Sequence, residues 1–172
     1  MNKELNNILR TNDKVVLLLI GTPLSGKDTF IRDNDLINLG FKTISRDDIL
    51  MDDASELGIT NYSEAFNKVD QKKVDKKLKL MFKDYSKNED KVIINMTHMG
   101  VKRRKANLSY FDHSYHKVAI IFPFLSDKEY MRRNEKRKLE ENKDLPMFIV
   151  KKMKKSFQEI QETEGFNKII NL

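Results

Sequence analysis

The amino-acid sequence predicts a three-layer α/β fold, in which a five-stranded parallel sheet lies between two layers of helices. Short β-branched runs alternate along the chain with amphipathic stretches of roughly 10 to 25 residues. The first run, Val15 to Ile20, is apolar at every position, which is typical of a strand buried on both faces of a sheet. Right-handed crossovers through the intervening helices make such strands parallel.

The first half of the chain supplies three strands. Lys14–Ile20 is the buried first strand. A helical pattern follows Gly26 to about Asn38, and Gly40 occupies the usual position of a C-terminal glycine. The next predicted segments are a strand at Phe41–Ser45, a helix from Asp47 with acidic residues in its first turn, a long helix from Asn61 to about Tyr85 whose lysines form its solvated face, and a strand at Lys91–Asn95.

The second half continues the alternation. Pro123 ends one strand and Pro146 begins one helix, where proline is tolerated. Residues 1–12 form a polar lead-in that either packs as a helix or frays, and residues 13–172 form one domain. The predicted segments are a helix at Val101–Phe111, a strand at Lys117–Phe122, helices from Ser126 to about Glu141 and from Pro146 to about Thr163, and a strand at Lys168–Asn171.

Composition excludes several classes of function. The 172 residues include no cysteine, so disulfides, thiol catalysis and thiolate zinc sites are excluded. The longest apolar run is far shorter than the roughly 20 residues that span a bilayer, and the first thirteen residues carry charge, so we expect a cytoplasmic protein without membrane segments. The net charge of +7 fits a polyanionic partner and a merely solvated surface equally well.

One turn fits the pattern G-x-x-x-x-G-K and lies where its mechanism requires, between a buried strand and a helix. Its backbone N–H groups and the helix N-terminus would bind the phosphates of ATP or another nucleoside triphosphate, and Lys27 would reach the β- and γ-phosphates. The predicted triphosphate-binding residues of this turn are Gly21, Thr22, Pro23, Leu24, Ser25, Gly26 and Lys27, and Asp28, Thr29 and Arg137 complete the predicted set.

The next position, normally Ser or Thr for Mg²⁺, is Asp28, and Thr29 follows it. Either Asp28 or Thr29 binds the ion, or the site binds Mg²⁺ more weakly than usual.

A second set of polar residues follows the second strand, at the sheet edge that the phosphate-binding turn also occupies. Asp47 can accept the proton of an attacking hydroxyl, and Arg46 and Asp48 flank it. The alternative role is capping of the following helix, which suits Asp48 better than Asp47. Arg133 and Arg137 lie four residues apart, so one helical face presents both, either to transferring phosphoryl oxygens or to solvent.

Further candidates follow the third strand. His98 lies at the ligand-binding edge and is either an acceptor contact or a structural histidine. Arg103 and Arg104 belong to a basic run, Lys102–Lys105, that begins the next helix. This run either follows a nucleic acid backbone or is solvated charge.

Four segments together resemble the 5′-hydroxyl polynucleotide kinase domain of bacteriophage end-healing enzymes, within the wider group of P-loop kinases. The segments are GTPLSGKDT, SRDD, VIINMTH followed by KRRKAN, and RRNEKRK with Leu145-Pro146 after it, and the likeness covers about residues 14 to 165. It implies a kinase-type P-loop fold with a helical lid, Lys27 as the phosphate-binding lysine, Asp47 as the general base, and Arg137 as the lid arginine with Arg133 beside it.

The resemblance also implies ATP or another nucleoside triphosphate with Mg²⁺ as cofactors and the 5′-OH end of DNA or RNA as acceptor. Attached phosphatase or ligase domains have no room in this length, so a partner phosphatase or ligase is expected if end repair is the task. The oligomeric state is not predicted.

Besides Asp28, which replaces the metal-binding hydroxyl, three positions depart from the pattern of that family. Leu50 replaces the arginine that holds the acceptor, and Met96-Thr97-His98 replaces Asp-Thr-Asn, in which Thr97 is retained and is a predicted acceptor contact. These departures suggest a different acceptor or a site rebuilt with His98, Arg46 and Asp48. Two alternatives follow: a kinase for a small-molecule, nucleotide or modified-base hydroxyl, and a catalytically decayed module that binds nucleotide or nucleic acid.

Overall fold

A computed structural model describes residues 3–141 and 143–172, so residues 1 and 2 of the predicted lead-in lie outside the described part. Its sheet has the strand order β2-β3-β1-β4-β5, and every pairing is parallel. This confirms the predicted three-layer fold with a five-stranded parallel sheet. The strands are β1 (Val15–Ile20), β2 (Lys42–Ile44), β3 (Lys91–Asn95), β4 (His116–Ile121) and β5 (Lys168–Asn171).

Helices fill the connections between the strands. A short 3₁₀ turn, Glu162–Glu164, precedes the last strand. The α-helices of the described residues are α1 (Lys3–Thr11), α2 (Lys27–Asp33), α3 (Arg46–Ser55), α4 (Tyr62–Lys68), α5 (Gln71–Asn88), α6 (Val101–Leu108), α7 (Asp127–Glu141) and α8 (Met147–Lys155).

The hydrophobic core has two halves, one on each face of the sheet. All six side chains of β1 are buried, and they alternate between the faces because successive strand residues point in opposite directions. Odd-numbered side chains of β1 pack in one cluster with Leu5 of α1 and Ile31 of α2. Even-numbered ones pack in the other with Leu50 of α3 and Phe82 of α5. The lead-in therefore packs as a helix.

Several predicted helices are too long. The predicted helix from Asn61 is two helices, because the carboxylate of Asp70 accepts hydrogen bonds from the backbone N–H groups of Lys72 (2.9 Å) and Lys73 (3.4 Å) and so starts α5. The other corrected ends are Asp33 for α2, Leu108 for α6 and Lys155 for α8.

The parallel sheet gathers polar residues at one edge. Four connections leave the carboxyl ends of their strands there: β1 to α2, β2 to α3, β3 to α6, and β4 to α7. Among the described residues, no helix is both long and apolar enough to cross a membrane.

Candidate functional site: the β1–α2 turn and its surroundings

The turn after β1, residues 21–27, lies tightly against the end of the sheet. The backbone N–H of Gly21 donates to the carbonyl of Thr97 over 3.1 Å. A Cβ on Gly21 would come within 2.5 Å of Ser25 Oγ and 2.9 Å of Phe122 Cβ, so only glycine fits. Gly26, at φ 103°, then turns the chain into α2. The turn is therefore a close-packed cradle at the N-terminus of a helix.

Polar groups inside this cradle are incompletely satisfied. Within the described part of the chain, the buried hydroxyls of Thr22 and Ser25 have no hydrogen-bond partner. Lys27 Nζ donates to the carbonyls of Gly21 (3.1 Å) and Thr22 (2.9 Å). Burial lowers the pKa of Lys27 to about 8, against the opposing charges of Asp28 and Asp47. A polyphosphate would supply the acceptors and negative charge that this arrangement favours, so the predicted nucleotide-binding residues fit a triphosphate.

Helix α7 lies over the cradle through its arginines. Arg133 Nη1 donates to the carbonyl of Leu24 over 2.9 Å, and its Nε donates to Glu129 over 2.6 Å. The side chain of Arg137 is mostly buried, pairs with Glu141 at 3.3 Å, and lies close enough for its charge to lower the pKa of Lys27. The structure thus brings both predicted lid arginines to the cradle.

Asp47 is exposed at the start of α3, and its charge reaches Lys27. Its Oδ1 accepts a hydrogen bond from the hydroxyl of Tyr62 over 2.9 Å. The alternative role of Asp48 as the cap of α3 is wrong, because Ser45 Oγ accepts from the backbone N–H of Asp48 over 3.2 Å and caps the helix. Both carboxylates are therefore available to other groups.

Asp28 faces a neighbouring cleft of about 370 Å³ that Asp48 and Asn95 also line. Asp28 Oδ1 accepts from Asn95 Nδ2 over 2.7 Å. Burial raises the pKa of Asp48, with the charges of Asp28 and Asp47 adding to the effect. This concentration of carboxylates suits a hard cation such as Mg²⁺, which one or two carboxylates and substrate phosphates commonly bind.

The described residues contain no cluster of three or more ligating side chains, so the phosphates would have to complete such a site. Thr29, the other predicted ligand, is exposed beside Asp28 in the first turn of α2.

The side chain of Arg46 forms hydrogen bonds with two residues of α5. Its Nε donates to Asp75 over 2.9 Å and its Nη2 donates to Gln71 over 2.8 Å. The arginine predicted to contact the acceptor therefore also fixes the first turn of α5 beside Asp47. Thr97, another predicted acceptor contact, is half-buried and holds the cradle through its backbone carbonyl.

The predicted acceptor contact through His98 is wrong. The ring is fully buried, Nδ1 lies 2.8 Å from the carbonyl of Leu19, and Nε2 lies 2.9 Å from Asn107 Nδ2. Burial lowers the pKa of His98 to about 4. A neutral ring that donates from Nδ1 and accepts at Nε2 satisfies both bonds, so His98 is the structural histidine of the two alternatives.

The predicted nucleic acid contact through Arg104 is also wrong, whereas its neighbour Arg103 is exposed on α6. Arg104 is fully buried and donates from Nε to Glu164 over 2.7 Å. Its other nitrogens donate to Glu164 and to the backbone carbonyls of His98, Met99, Gln158 and Glu159. Arg104 therefore joins α6 to the segment before β5.

Leu50 and Met96, the two apolar residues that depart from the pattern of the polynucleotide kinases, face the interior. Leu50 is fully buried in the core cluster of α3 and α5, and Met96 packs against that cluster. Neither residue reshapes the cleft directly. Sequence reasoning missed Tyr62 and Asn95, since their partners lie far away in the sequence and the Asn61–Glu64 segment signals only a helix start.

Comparison with known proteins agrees with this fold. A family model described as an AAA domain matches residues 16–160. A structure from the PezAT toxin–antitoxin system of Streptococcus pneumoniae is 17% identical, with a TM-score of 0.63 over 98% of this chain and 72% of its own. A chain of the Pnkp1/Rnl/Hen1 RNA repair complex is 21% identical, with a TM-score of 0.64 over 86% of this chain and 45% of its own.

A gluconokinase from Sinorhizobium meliloti 1021 is 10% identical, with a TM-score of 0.53 over 94% of this chain and 83% of its own. The present chain spans less than half of the RNA repair chain. These likenesses establish a P-loop fold of the kinase type, as the sequence predicted.

Proposed function

This chain belongs to the AAA-domain family, and from that membership we propose that it is a P-loop kinase, with residues 13–172 as its catalytic domain. The reaction would transfer the γ-phosphoryl group of ATP or another nucleoside triphosphate to the 5′-hydroxyl of DNA or RNA. One observation carries the proposal: the exposed carboxylate of Asp47 and the guanidinium of Arg137 both lie within electrostatic reach of Lys27, and Arg133 of the same helix binds the cradle at Leu24.

Each group would have a defined role in the transfer. The cradle amides and Lys27 would hold the triphosphate, and Asp47 would accept the hydroxyl proton while the hydroxyl oxygen bonds to the γ-phosphorus. The bond from that phosphorus to the β–γ bridging oxygen would break, and the nucleoside diphosphate would leave. Arg137 and Arg133 would stabilise the charge that develops on the transferred group. Mg²⁺, held by Asp28 and the phosphates, would add charge neutralisation.

The choice of a polynucleotide acceptor has three supports. The segments SRDD and RRNEKRK resemble those of polynucleotide kinases, and their carboxylate and arginines lie at the cradle. The net charge of +7 would attract a polyanion. The RNA repair complex supplies a structural neighbour with a nucleic acid role of its own.

A small-molecule acceptor is the second candidate, and the buried position of Leu50 favours it. The side chain that would hold a nucleotide in the related kinases is here part of the core, so the acceptor has no arginine at that point. The cleft beside Asp28 and Asp48 has the volume of a small ligand site, about 370 Å³, and the gluconokinase is a neighbour with such an acceptor.

Transfer of radiolabel from the γ-phosphate to 5′-hydroxyl oligonucleotides tests the proposal. We expect Asp47→Asn to lower kcat by about 10² to 10⁴, the usual contribution of a general base, with triphosphate affinity and melting temperature retained. Asp52→Asn, an exposed carboxylate on the same helix, is the matched control and should keep full activity.

Three outcomes are decisive. Labelling of small alcohols without labelling of oligonucleotides would establish the second candidate. Triphosphate binding without transfer to any hydroxyl would identify a catalytically decayed binding module. Substantial activity of Asp47→Asn would contradict the assignment of the base.

A further inference from the structure

Helix α5 carries a straight line of exposed lysines on its solvent face. At 100° per residue these side chains fall within an arc of about 80°, and at 1.5 Å per residue the line is about 22 Å long. We call them the lysine stripe: Lys72, Lys76, Lys79, Lys83 and Lys87, all exposed.

The charges of the stripe are not neutralised. Among the residues that the structure describes, none of the five lysines forms an ion pair, whereas Lys73 and Lys77 on the adjoining face of α5 both pair with the buried Asp53. The two aspartates of α5 bind other side chains, because Asp75 accepts from Arg46 and Asp84 accepts from Asn88.

Helix α7 shows the contrast. Its exposed Arg132 pairs with Glu129, three residues away, and its exposed Lys136 pairs with Glu140, four residues away. Such pairing is the usual arrangement of a merely solvated charged face. The stripe differs, since five like charges in line repel one another and attract a polyanion.

The stripe begins at the candidate acceptor site. Arg46, next to Asp47, binds Gln71 and Asp75, so the first turn of α5 lies beside the proposed base. The helix then descends along the sheet and ends shortly before β3 begins at Lys91, at the opposite edge. The line of charge thus leads away from Asp47.

We propose that the lysine stripe binds the backbone of a single-stranded nucleic acid whose 5′ end lies at Asp47. This inference rests on the proposed function and adds a path for the downstream nucleotides. Lysines act as point charges on phosphates and carry no base preference, so the contact is independent of sequence. One strand fits better than a duplex because Lys73 and Lys77 of α5 are paired with Asp53, which leaves a single line of unpaired lysines on this helix.

The test compares two triple variants. Lys76→Gln, Lys79→Gln and Lys83→Gln together remove the three central charges of the five in the stripe. Lys128→Gln, Lys152→Gln and Lys155→Gln remove the same charge from exposed positions of α7 and α8. For the stripe variant we expect the KM for a long 5′-hydroxyl oligonucleotide to rise about tenfold or more at low salt. Its kcat, its KM for a dinucleotide and its KM for the triphosphate should stay unchanged.

Salt dependence provides a second readout. Each phosphate contact to a single strand contributes about 0.7 to the slope of log affinity against log salt, so losing three lysines should lower that slope by about 2. The control variant should retain the wild-type slope. An equal loss of affinity in both variants would overturn the stripe and indicate diffuse charge attraction. A stripe variant with the affinity and salt dependence of the wild type would also overturn the stripe.

Direct binding separates this inference from the proposed function. If the wild type phosphorylates no oligonucleotide, the proposed function fails. Fluorescence anisotropy with a labelled single strand then tests separately whether the lysine stripe binds nucleic acid. Weakened binding by the stripe variant supports it, and unchanged binding overturns it. Displacement of the strand by polyglutamate at equal charge concentration would also overturn it, because an acidic protein would then fit the stripe equally well.

Discussion

The hydroxyl of Tyr62 donates a hydrogen bond to Asp47 Oδ1 over 2.9 Å, which joins α4 to the start of α3. Burial, together with the nearby charge of Asp47, raises the pKa of Tyr62, so the phenol keeps its proton and remains a donor. The ammonium of Lys143, in the connection after α7, lies 5.1 Å from the centre of the same ring. Tyr62 therefore lies between the lid and the proposed base and can orient the carboxylate.

Tyr62→Phe is expected to lower kcat about tenfold while the KM for the triphosphate stays unchanged. The substitution keeps the ring but removes the hydrogen bond that restrains Asp47, and hydrogen bonds to charged groups contribute about 1.5 to 3 kcal/mol. Steady-state kinetics of phosphoryl transfer measures the effect. Tyr110→Phe is the control, since Tyr110 stacks on Phe82 and its hydroxyl makes no hydrogen bond within the described residues. An undiminished kcat for Tyr62→Phe would remove its positioning role.

Triphosphate binding should weaken as the pH rises above about 8. In the free protein, burial lowers the pKa of Lys27 to about 8, so the lysine is charged below that pH and becomes neutral above it. A bound triphosphate favours the charged form, so the dissociation constant should rise about tenfold per pH unit once the free lysine has lost its proton. Calorimetric titration between pH 7 and pH 10 measures the trend.

Lys27→Met provides the reference for that titration. The variant should bind triphosphate more weakly at pH 7 and show no further change above pH 8, because it has no ammonium to lose. A wild-type dissociation constant that stays flat between pH 8 and pH 10 would contradict the role of Lys27 as the charged phosphate ligand.

Arg137→Gln should lower kcat by about 10³, the scale on which a single arginine stabilises a transferring phosphoryl group. Its charge already reaches Lys27, and its side chain is mostly buried. Single-turnover measurement of the transfer step gives the value. Lys136→Gln, one residue earlier and exposed, should change the rate less than twofold, and similar losses in both variants would indicate damage to the helix instead.

The sequence predicted those parts of the site whose chemistry is local. The cradle depends on one strand, one turn and one helix, so the pattern from Gly21 to Lys27 is sufficient to identify it. Tyr62 and Asn95 could not be predicted because each acts on a carboxylate that only the folded sheet brings near it, Asp47 and Asp28 respectively.

The predicted ligand contacts of His98 and Arg104 were wrong for a related reason. Nothing in their neighbourhood in the sequence distinguishes an exposed basic residue from a buried one whose partners come from a distant segment. Arg104 binds Glu164, and His98 binds the backbone of Leu19.

Asp28→Ser should raise the Mg²⁺ concentration needed for half-maximal activity several-fold. The substitution removes one of the carboxylates beside the cradle while supplying the hydroxyl that is usual at this position. Initial rates across a Mg²⁺ titration at fixed triphosphate measure the change. Asn95→Ala, which removes only the partner of Asp28 at 2.7 Å, should give a smaller shift in the same direction. A lower Mg²⁺ requirement for Asp28→Ser would mean that the native carboxylate opposes the ion.

Arg104→Met should lower the free energy of unfolding by about 3 to 5 kcal/mol, the usual result of leaving one member of a buried ion pair alone. Although burial opposes ionisation, the hydrogen bonds from Arg104 lower the pKa of Glu164, so removing the guanidinium strands a charged carboxylate in the core. The carbonyls of His98 and Gln158 also lose their donor. Urea unfolding followed by circular dichroism measures the loss.

Arg103→Met is the matched control for Arg104, because it makes the same substitution at the preceding, exposed position of α6. Its unfolding free energy should stay within about 0.5 kcal/mol of the wild type. Arg104→Lys keeps the charge but not the planar fork that reaches both oxygens of Glu164, so its stability should lie between those of the wild type and Arg104→Met. Equal stabilities for Arg103→Met and Arg104→Met would place Arg104 at the surface and reopen its role in nucleic acid binding.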